Sequence, residues 1–299
     1  MTPRPNLIAA YAAGIAGIAL FSIMDMVMKG LTIAIGVFPT MLWRSLVGIL
    51  IAAIPYFALR KAWPSRAALG WHVLRGVMMV PMALAFFWGL ARVPMAQAVA
   101  LTFIAPLIAL VLAALLLKEP IGRRTALGSM AAFVGVVIIF IGQAQAELGP
   151  VALRGSVAIL FSAVIYAFNI IVMRRQAQNA GPVEIAFFQN LVIAVVLVLL
   201  VPAIGAPPLP TGHWPELILA AALALGSLML LGWAYARAGA AYLSTTEYSA
   251  FLWAIALGWW RFGEQVSPFT LVGAALIVAG CIFAARSRPV EHPALEASA

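Results

Sequence analysis

Residues 233–264 read WAYARAGAAYLSTTEYSAFLWAIALGWWRFGE, an apolar stretch that encloses the acid Glu247. Residues 88–119 read WGLARVPMAQAVALTFIAPLIALVLAALLLKE and match it at a constant offset of 145 residues. A fixed offset kept over such a length indicates an internal repeat. Thr102 stands in the first copy where the second has Glu247, so the copies share a frame and differ at the charged position. The matched pairs include Trp88 and Trp233, Arg92 and Arg237, Ala109 and Ala254, Glu119 and Glu264, Gly128 and Gly273, and Gly135 and Gly280.

The composition is that of a membrane protein. Hydrophobic residues make up 65% of the 299 residues, charged residues 9%, and the mean hydropathy is +1.08. Apolar runs of about 20 residues recur along the chain, and each is long enough to cross the hydrocarbon core of a bilayer. The sequence therefore predicts an all-α polytopic membrane protein. The net charge of +9 comes from Lys and Arg residues in the short loops, where such an excess reflects membrane topology. We therefore expect no nucleic-acid partner.

Ten apolar segments can be marked, and they predict ten transmembrane helices. If the N-terminus is cytoplasmic, twelve Lys and Arg residues fall on the cytoplasmic side and four on the other, which predicts that both termini are cytoplasmic. Each copy of the repeat holds five helices, so the second copy enters the membrane from the opposite face. The segments run roughly over residues 7–28, 37–59, 70–91, 95–117, 124–143, 153–174, 181–202, 216–236, 242–260 and 268–285.

Two copies that each contain an odd number of helices have opposite orientations in the membrane and form an inverted repeat. This arrangement is typical of secondary transporters, which have a substrate site between the two halves. We expect a first five-helix repeat over residues 1–148, a second over residues 149–288, and a disordered cytoplasmic tail over residues 289–299.

The charges near the predicted outer side are Asp25, Lys29 and Arg44. Asp25 and Lys29 are four residues apart, which places them on one helix face, and Arg44 enters from the same side in the next segment. A charge inside the membrane costs about 2.5–3.5 kcal/mol on insertion scales, so it usually faces a cavity or a partner. We expect the three to meet. A static ion pair between helices and an outer gate, or a site for a charged substrate group, are equally open.

A second charged pair is predicted near the cytoplasmic side. Glu247 and Arg75 lie at similar depth in their segments, and we hypothesise that they pair. The pair is either a fixed structural contact or an inner gate that closes when the site faces outward.

Polar, aromatic and methionine side chains in mid-segment are candidates for a substrate cavity. Flat rings and thioethers would hold an apolar side chain, and amides would hold polar ends. Interhelical hydrogen bonding of the amides, and interfacial belts for Trp and Tyr, are the competing roles. The candidates are Met78, Met82, Phe86, Tyr166, Asn169, Gln189, Trp233, Tyr248 and Trp253.

Motifs of soluble enzymes are absent from the sequence. It contains no HExxH, GxSxG, Walker A or GxGxxG motif, and its single aspartate and three histidines do not predict a metal site. We expect no catalytic residues, no metal and no cofactor. Without a nucleotide site, we expect energy coupling either to gradients or not at all.

Five motifs also carry a family resemblance: MDMVMKG at 24–30, WRS at 43–45, LRG at 74–76, the stretch from Val99 through Pro106 to Glu119, and TEYSAFLWAIALGWWRFGE at 246–264. Together they resemble the drug/metabolite transporter superfamily, in its ten-helix EamA-type branch. Thr246 departs from the pattern, because Phe is common there. The resemblance implies a basket-like fold of two inverted repeats. It also implies a central cavity whose helices here carry Asp25, Arg44, Met78, Tyr166, Trp233 and Glu247.

The resemblance further implies export of small metabolites, of the amino-acid-exporter type. The expected function is a transporter or facilitator of the bacterial inner membrane that exports amino acids or similar metabolites by alternating access. A carrier of nucleotide-like metabolites such as S-adenosylmethionine, or a multidrug exporter, is the alternative. A membrane-embedded enzyme acting on lipid-linked substrates is disfavoured. The expected partners are the small-molecule substrate and the lipid bilayer, and the sequence leaves monomer and homodimer open.

Overall fold

The chain folds as helices because, in lipid, backbone N–H and C=O groups must be bonded within their own segment. The computed structural model describes residues 7–59, 63–117, 123–145, 149–177, 179–237, 243 and 246–285. No strand occurs among these residues. The helices are α1 (Leu7–Ile35), α2 (Val37–Leu59), α3 (Arg66–Leu90), α4 (Met95–Thr102), α5 (Ala105–Leu117), α6 (Arg123–Gln145), α7 (Gly149–Ala177), α8 (Pro182–Ile204), α9 (Trp214–Tyr235), α10 (Ser249–Phe262) and α11 (Pro268–Ala285).

Six of the described helices, α1, α2, α3, α7, α8 and α9, are long and apolar enough to cross a membrane. Shorter apolar helical stretches occur at Met95–Ala109, Ala126–Gly142 and Pro268–Phe283. Large apolar side chains face outward along the helices, as Leu50 at 70% exposure and Leu199 at 72% illustrate, which is the surface that lipid would cover. The prediction of an all-helical, multi-pass membrane protein is confirmed at this level.

Local signals set the helix boundaries. Gly36, at φ 87°, separates α1 from α2, and Gly263, at φ 66°, ends α10; glycine adopts this left-handed region without steric cost. Ser65 accepts a hydrogen bond from the Ala68 amide at 3.1 Å and caps the start of α3. Pro81 lies inside α3 without ending it.

Contacts between helices recur at the offset found in the sequence. Ser227 on α9 donates to the Gly17 carbonyl on α1 at 2.8 Å, and Ser162 on α7 donates to the Met82 carbonyl on α3 at 2.8 Å. Positions 17 and 162 are 145 residues apart, and so are positions 82 and 227. The pairing of α1 with α9 is therefore repeated by the pairing of α7 with α3.

The α6–α11 interface has the same relation. A Cβ built on Gly280 would lie 2.5 Å from the Gly128 carbonyl oxygen, and one on Gly135 would lie 2.5 Å from the Gly273 carbonyl oxygen. Small residues allow backbones to approach this closely in lipid. Positions 128 and 273 are 145 residues apart, and so are positions 135 and 280, so the repeat relates the two contacts to each other.

The fourth predicted segment differs from the expectation of one helix. Residues Phe103 and Ile104 form a turn, so the segment consists of α4 and α5. Pro106 contributes, since it has no N–H to donate to the preceding turn. The ninth predicted segment is helical at residues 246–247, has a turn at Tyr248 and continues as α10, while residues 242, 244 and 245 lie outside the described residues.

Candidate substrate-binding site

The two interruptions meet inside the bundle. The Phe103 and Tyr248 rings contact each other edge to face with centroids 5.5 Å apart, and these residues are again 145 positions apart. Cys281 donates to the Phe103 carbonyl at 3.2 Å, a carbonyl at the break in the helical ladder. Discontinuous helices that meet in the interior expose polar backbone ends and commonly form substrate sites in transporters.

Glu247 lies next to one of these interruptions and is accessible. Its carboxylate accepts a hydrogen bond from the Tyr235 hydroxyl at 2.7 Å. Tyr166 is within electrostatic range of Glu247 and is 37% exposed. Tyr235 and Glu247 are exposed as well. The three side chains form an accessible cluster of one carboxylate and two phenol groups.

A chain of buried hydrogen bonds begins at Arg75, which is also within electrostatic range of Tyr166. Arg75 donates from Nε to the Asn169 Oδ1 at 3.1 Å and from Nη1 to the Gln176 Oε1 at 2.7 Å. Gln176 Nε2 contacts the His72 Nδ1 at 2.8 Å, and His72 Nε2 contacts the Glu184 Oε1 at 3.0 Å. Four of the five side chains are at most 3% exposed, and Arg75 is 8% exposed. The chain joins α3, α7 and α8.

The predicted Arg75–Glu247 ion pair is not formed among the described residues of this structure. Arg75 is bonded to two amides and Glu247 to a phenol. Tyr166 is within electrostatic range of both charges. Similar depth along two helices does not fix the lateral positions of their side chains, so the two charges share the neighbour Tyr166 without a described contact to each other.

The predicted cluster of Asp25, Lys29 and Arg44 is also different. Asp25 and Arg44 are within electrostatic range of each other, while Asp25 Oδ1 and Arg44 Nε are buried with no hydrogen-bond partner among the described residues. Lys29 does not join them. Its ammonium pairs with the Glu264 carboxylate and donates to the Val93 carbonyl at 2.6 Å.

Glu264, which is not among the residues that the sequence predicts for the site, bonds to two other helices. One oxygen pairs with Lys29 and the other accepts the Met95 amide at 2.7 Å, at the start of α4. The latch formed by Lys29, Glu264, Val93 and Met95 therefore ties α1 and α4 to the end of α10. The match of Glu264 to Glu119 in the repeat was the available signal. His72, Gln176 and Glu184 were missed too, because polar residues near helix ends are commonly interfacial.

The other cavity candidates are placed unevenly. Trp233 lies under the Arg237 guanidinium, 4.1 Å from its ring centroid, at the end of α9. Trp88 and Arg92 repeat this contact at 3.7 Å in the first half. Phe86 packs against the apolar core. Four other candidates are half-buried and have no described contact with the cluster around Glu247: Met78, Met82, Gln189 and Trp253.

The described residues contain no group of three or more His, Cys, Asp or Glu side chains that could hold a metal ion. The arrangement is one of binding groups: an accessible carboxylate, a buried guanidinium and aromatic walls.

Comparison with known proteins gives consistent matches. The sequence model of the EamA-like transporter family matches residues 8–141 and again residues 153–286. A pseudopaline exporter of Pseudomonas aeruginosa is 24% identical over 270 residues, which cover 90% of this chain and 93% of the exporter. A riboflavin transporter of Rhizobium johnstonii is 28% identical, with 95% and 93% covered.

An S-adenosylmethionine uptake transporter of Rickettsia bellii is 25% identical, with 79% of this chain and 78% of that protein covered. A solved crystal structure superposes with a TM-score of 0.59 at 22% identity and covers 92% of this chain and 96% of its own, which supports the fold.

Proposed function

The chain belongs to the EamA-like transporter family, and from this we propose that it is a secondary transporter or facilitator exporting amino acids, aromatic or other, or similar small metabolites. We place it in the bacterial inner membrane, which the bacterial origin of the matched relatives supports. Names of relatives indicate transport of small molecules rather than an enzymatic activity.

We propose that residues 1–148 and 149–288 form two inverted five-helix repeats, with both termini cytoplasmic and residues 289–299 as a tail. The paired hydrogen bonds of Ser162 and Ser227 support this, since they are exchanged by the offset of 145 residues. The two separate matches of the family model, one in each half, support it as well. Rocking of one repeat against the other would then expose the central cavity to alternate sides.

The observation that carries the substrate proposal is the accessible carboxylate of Glu247 beside Tyr166 and Tyr235, next to the meeting point of two interrupted helices. Such a cavity suits a small solute with an apolar part and polar ends. Aromatic and methionine side chains hold the apolar part in this proposal, and Asn169 and Gln189 contribute to the polar ends. In this proposal Asp25 with Arg44 acts as an outer gate, and Glu247 with Arg75 acts as an inner gate that closes when the site faces outward.

The second candidate function is a carrier of nucleotide-like metabolites such as S-adenosylmethionine. A multidrug exporter belongs to the same alternative. The Rickettsia bellii relative, named as an S-adenosylmethionine transporter, favours it. Wide aromatic surfaces beside a carboxylate would also accept a cationic ligand with a flat ring.

The experiment is flux in proteoliposomes. Labelled amino acids, a nucleoside, riboflavin and S-adenosylmethionine are tested separately, with and without a pH gradient. Amino-acid flux above that of empty liposomes supports the first candidate. Flux of S-adenosylmethionine alone replaces it with the second, and a protein that moves no solute contradicts both.

A further inference from the structure

Arg75 is a buried cation whose bonded partners are all neutral. Its two described contacts are the amide oxygens of Asn169 and Gln176. Among the described residues the Glu264 carboxylate pairs with Lys29 and the Glu184 carboxylate contacts His72, whereas Arg75 forms no described ion pair. A buried charge without a counter-charge is strongly unfavourable in the interior of a protein. Its positive charge is therefore available to an anion.

Part of the guanidinium is also free to bind. Arg75 uses Nε and Nη1 for its described contacts, whereas Nη2 is not among the buried atoms that lack a partner. No described hydrogen bond uses Nη2, and Tyr166 lies within electrostatic range of the guanidinium. A planar guanidinium with free N–H groups matches the two oxygens of a carboxylate.

The hydrogen-bond chain fixes this orientation. Arg75 can only donate, so Gln176 must present Oε1 to it and turn Nε2 to His72. The Nδ1 of His72 then accepts, which leaves the His72 proton on Nε2, where it is donated to Glu184. The Gln176 amide can point its oxygen to Arg75 and its nitrogen to His72 only when His72 Nδ1 accepts a hydrogen bond. That condition is met by a neutral His72 whose Nε2 proton is donated to Glu184.

Other arginines of the described interior differ from Arg75. Arg44 has the Asp25 carboxyl group within electrostatic range. Arg92 and Arg237 lie over tryptophan rings at the ends of helices. Among these four, Arg75 is the one that is buried with two neutral amides as its described hydrogen-bond partners.

We propose that Arg75 binds the carboxylate of the transported solute, that Glu247 across Tyr166 binds its ammonium group, and that His72 and Gln176 are positioning residues for Arg75. The inference rests on the proposed function and narrows its substrate to zwitterions. In this proposal the bound solute bridges Arg75 and Glu247, which have no direct contact in the described structure.

The first test compares an amino acid with its carboxamide, which keeps the shape and the ammonium but loses the negative charge. L-phenylalanine and L-phenylalaninamide, and L-leucine and L-leucinamide, are tested in proteoliposomes with wild-type protein and Arg75→Gln. We expect the acid to be moved at least about tenfold faster than the amide by the wild type. Arg75→Gln should lower acid flux by about ten- to a hundredfold and affect amide flux far less, so that the preference for the acid is lost, as the loss of a charged hydrogen bond implies.

The outcomes separate the two claims. If wild-type protein moves none of the four solutes, the proposed substrate class and this inference both fail. If it moves acid and amide equally, or Arg75→Gln keeps the preference for the acid, the inference fails while the proposed function stands.

The second test concerns His72, whose ring stacks on Phe188 with centroids 4.8 Å apart. His72→Phe keeps a stacked ring and removes the acceptor for Gln176, whereas His72→Asn loses the ring and keeps an acceptor near the Nδ1 position. We expect His72→Phe to raise the KM for the acid by about two- to tenfold with unchanged KM for the amide, and His72→Asn to stay within about twofold. Equal shifts for acid and amide, or no shift in His72→Phe, would show a purely structural role.

Discussion

The latch between Lys29 and Glu264 allows a quantitative prediction for stability. The Lys29 side chain is 5% exposed and that of Glu264 is 15% exposed. The carboxylate also accepts the Met95 amide, and the ammonium also donates to the Val93 carbonyl. Substitution of either partner therefore leaves a charge in a site shielded from water.

We expect Glu264→Ala to lower the free energy of unfolding by about 3–5 kcal/mol, the cost of breaking a buried ion pair by removing one partner. Glu264→Gln should cost less, about 1.5–3 kcal/mol, because its amide oxygen still accepts one hydrogen bond from the charged Lys29. The double variant Lys29→Met with Glu264→Gln should be more stable than the sum of the single effects predicts, since no uncompensated charge remains.

The assay is unfolding in mixed micelles by SDS titration, followed by tryptophan fluorescence and circular dichroism. Glu216→Gln is the matched control, because Glu216 is an exposed carboxylate in the first turn of α9, and we expect a change within about 0.5 kcal/mol. Additive effects of the two single variants, or a loss with Glu264→Ala no larger than that of the control, would refute the coupling.

Three further predictions follow from single contacts. Gly280→Ala should destabilise the α6–α11 interface by about 1–3 kcal/mol, because its Cβ would lie 2.5 Å from a backbone carbonyl oxygen. The control Gly70→Ala, whose Cβ would have no atom within 4 Å, should be neutral or slightly stabilising. Equal effects of the two variants in unfolding titrations would contradict this prediction. Ser227→Ala should cost about 0.6 kcal/mol in the same titration, and a loss above about 2 kcal/mol would show that more than its hydrogen bond is removed. Glu247→Gln should alter transport while gel filtration and the unfolding midpoint stay unchanged, and wild-type flux would rule out a gating or binding role.

The position of Lys29 shows where sequence reasoning stops. Spacing of four residues places Asp25 and Lys29 on one helical face, which suggested that they meet the same partner. In the structure α1 packs against α9 and α10, and Glu264 at the end of α10 binds Lys29 while Asp25 remains near Arg44. Periodicity gives the face of a helix, but the neighbouring helix decides which charge is opposite.

The chain from Asn169 to Glu184 shows a second limit. Asn169 is conspicuous in the sequence as an amide in mid-segment, and Arg75 is conspicuous as a charge inside an apolar run. His72, Gln176 and Glu184 lie close to helix ends, where polar residues need no explanation. Their function as a connected set depends on hydrogen bonds between residues up to 112 positions apart, for which a single sequence has no local signal.

By itself the sequence determined the helical membrane architecture, the family and the repeat at an offset of 145 residues, because apolar length, charge sparsity and self-similarity are written along the chain. The tertiary structure decided which side chains meet: Lys29 with Glu264, Arg75 with Gln176, and Tyr235 with Glu247. The physical reason is that depth in a membrane follows from position along a helix, whereas lateral contact follows from helix packing, which is set by many small contacts at once.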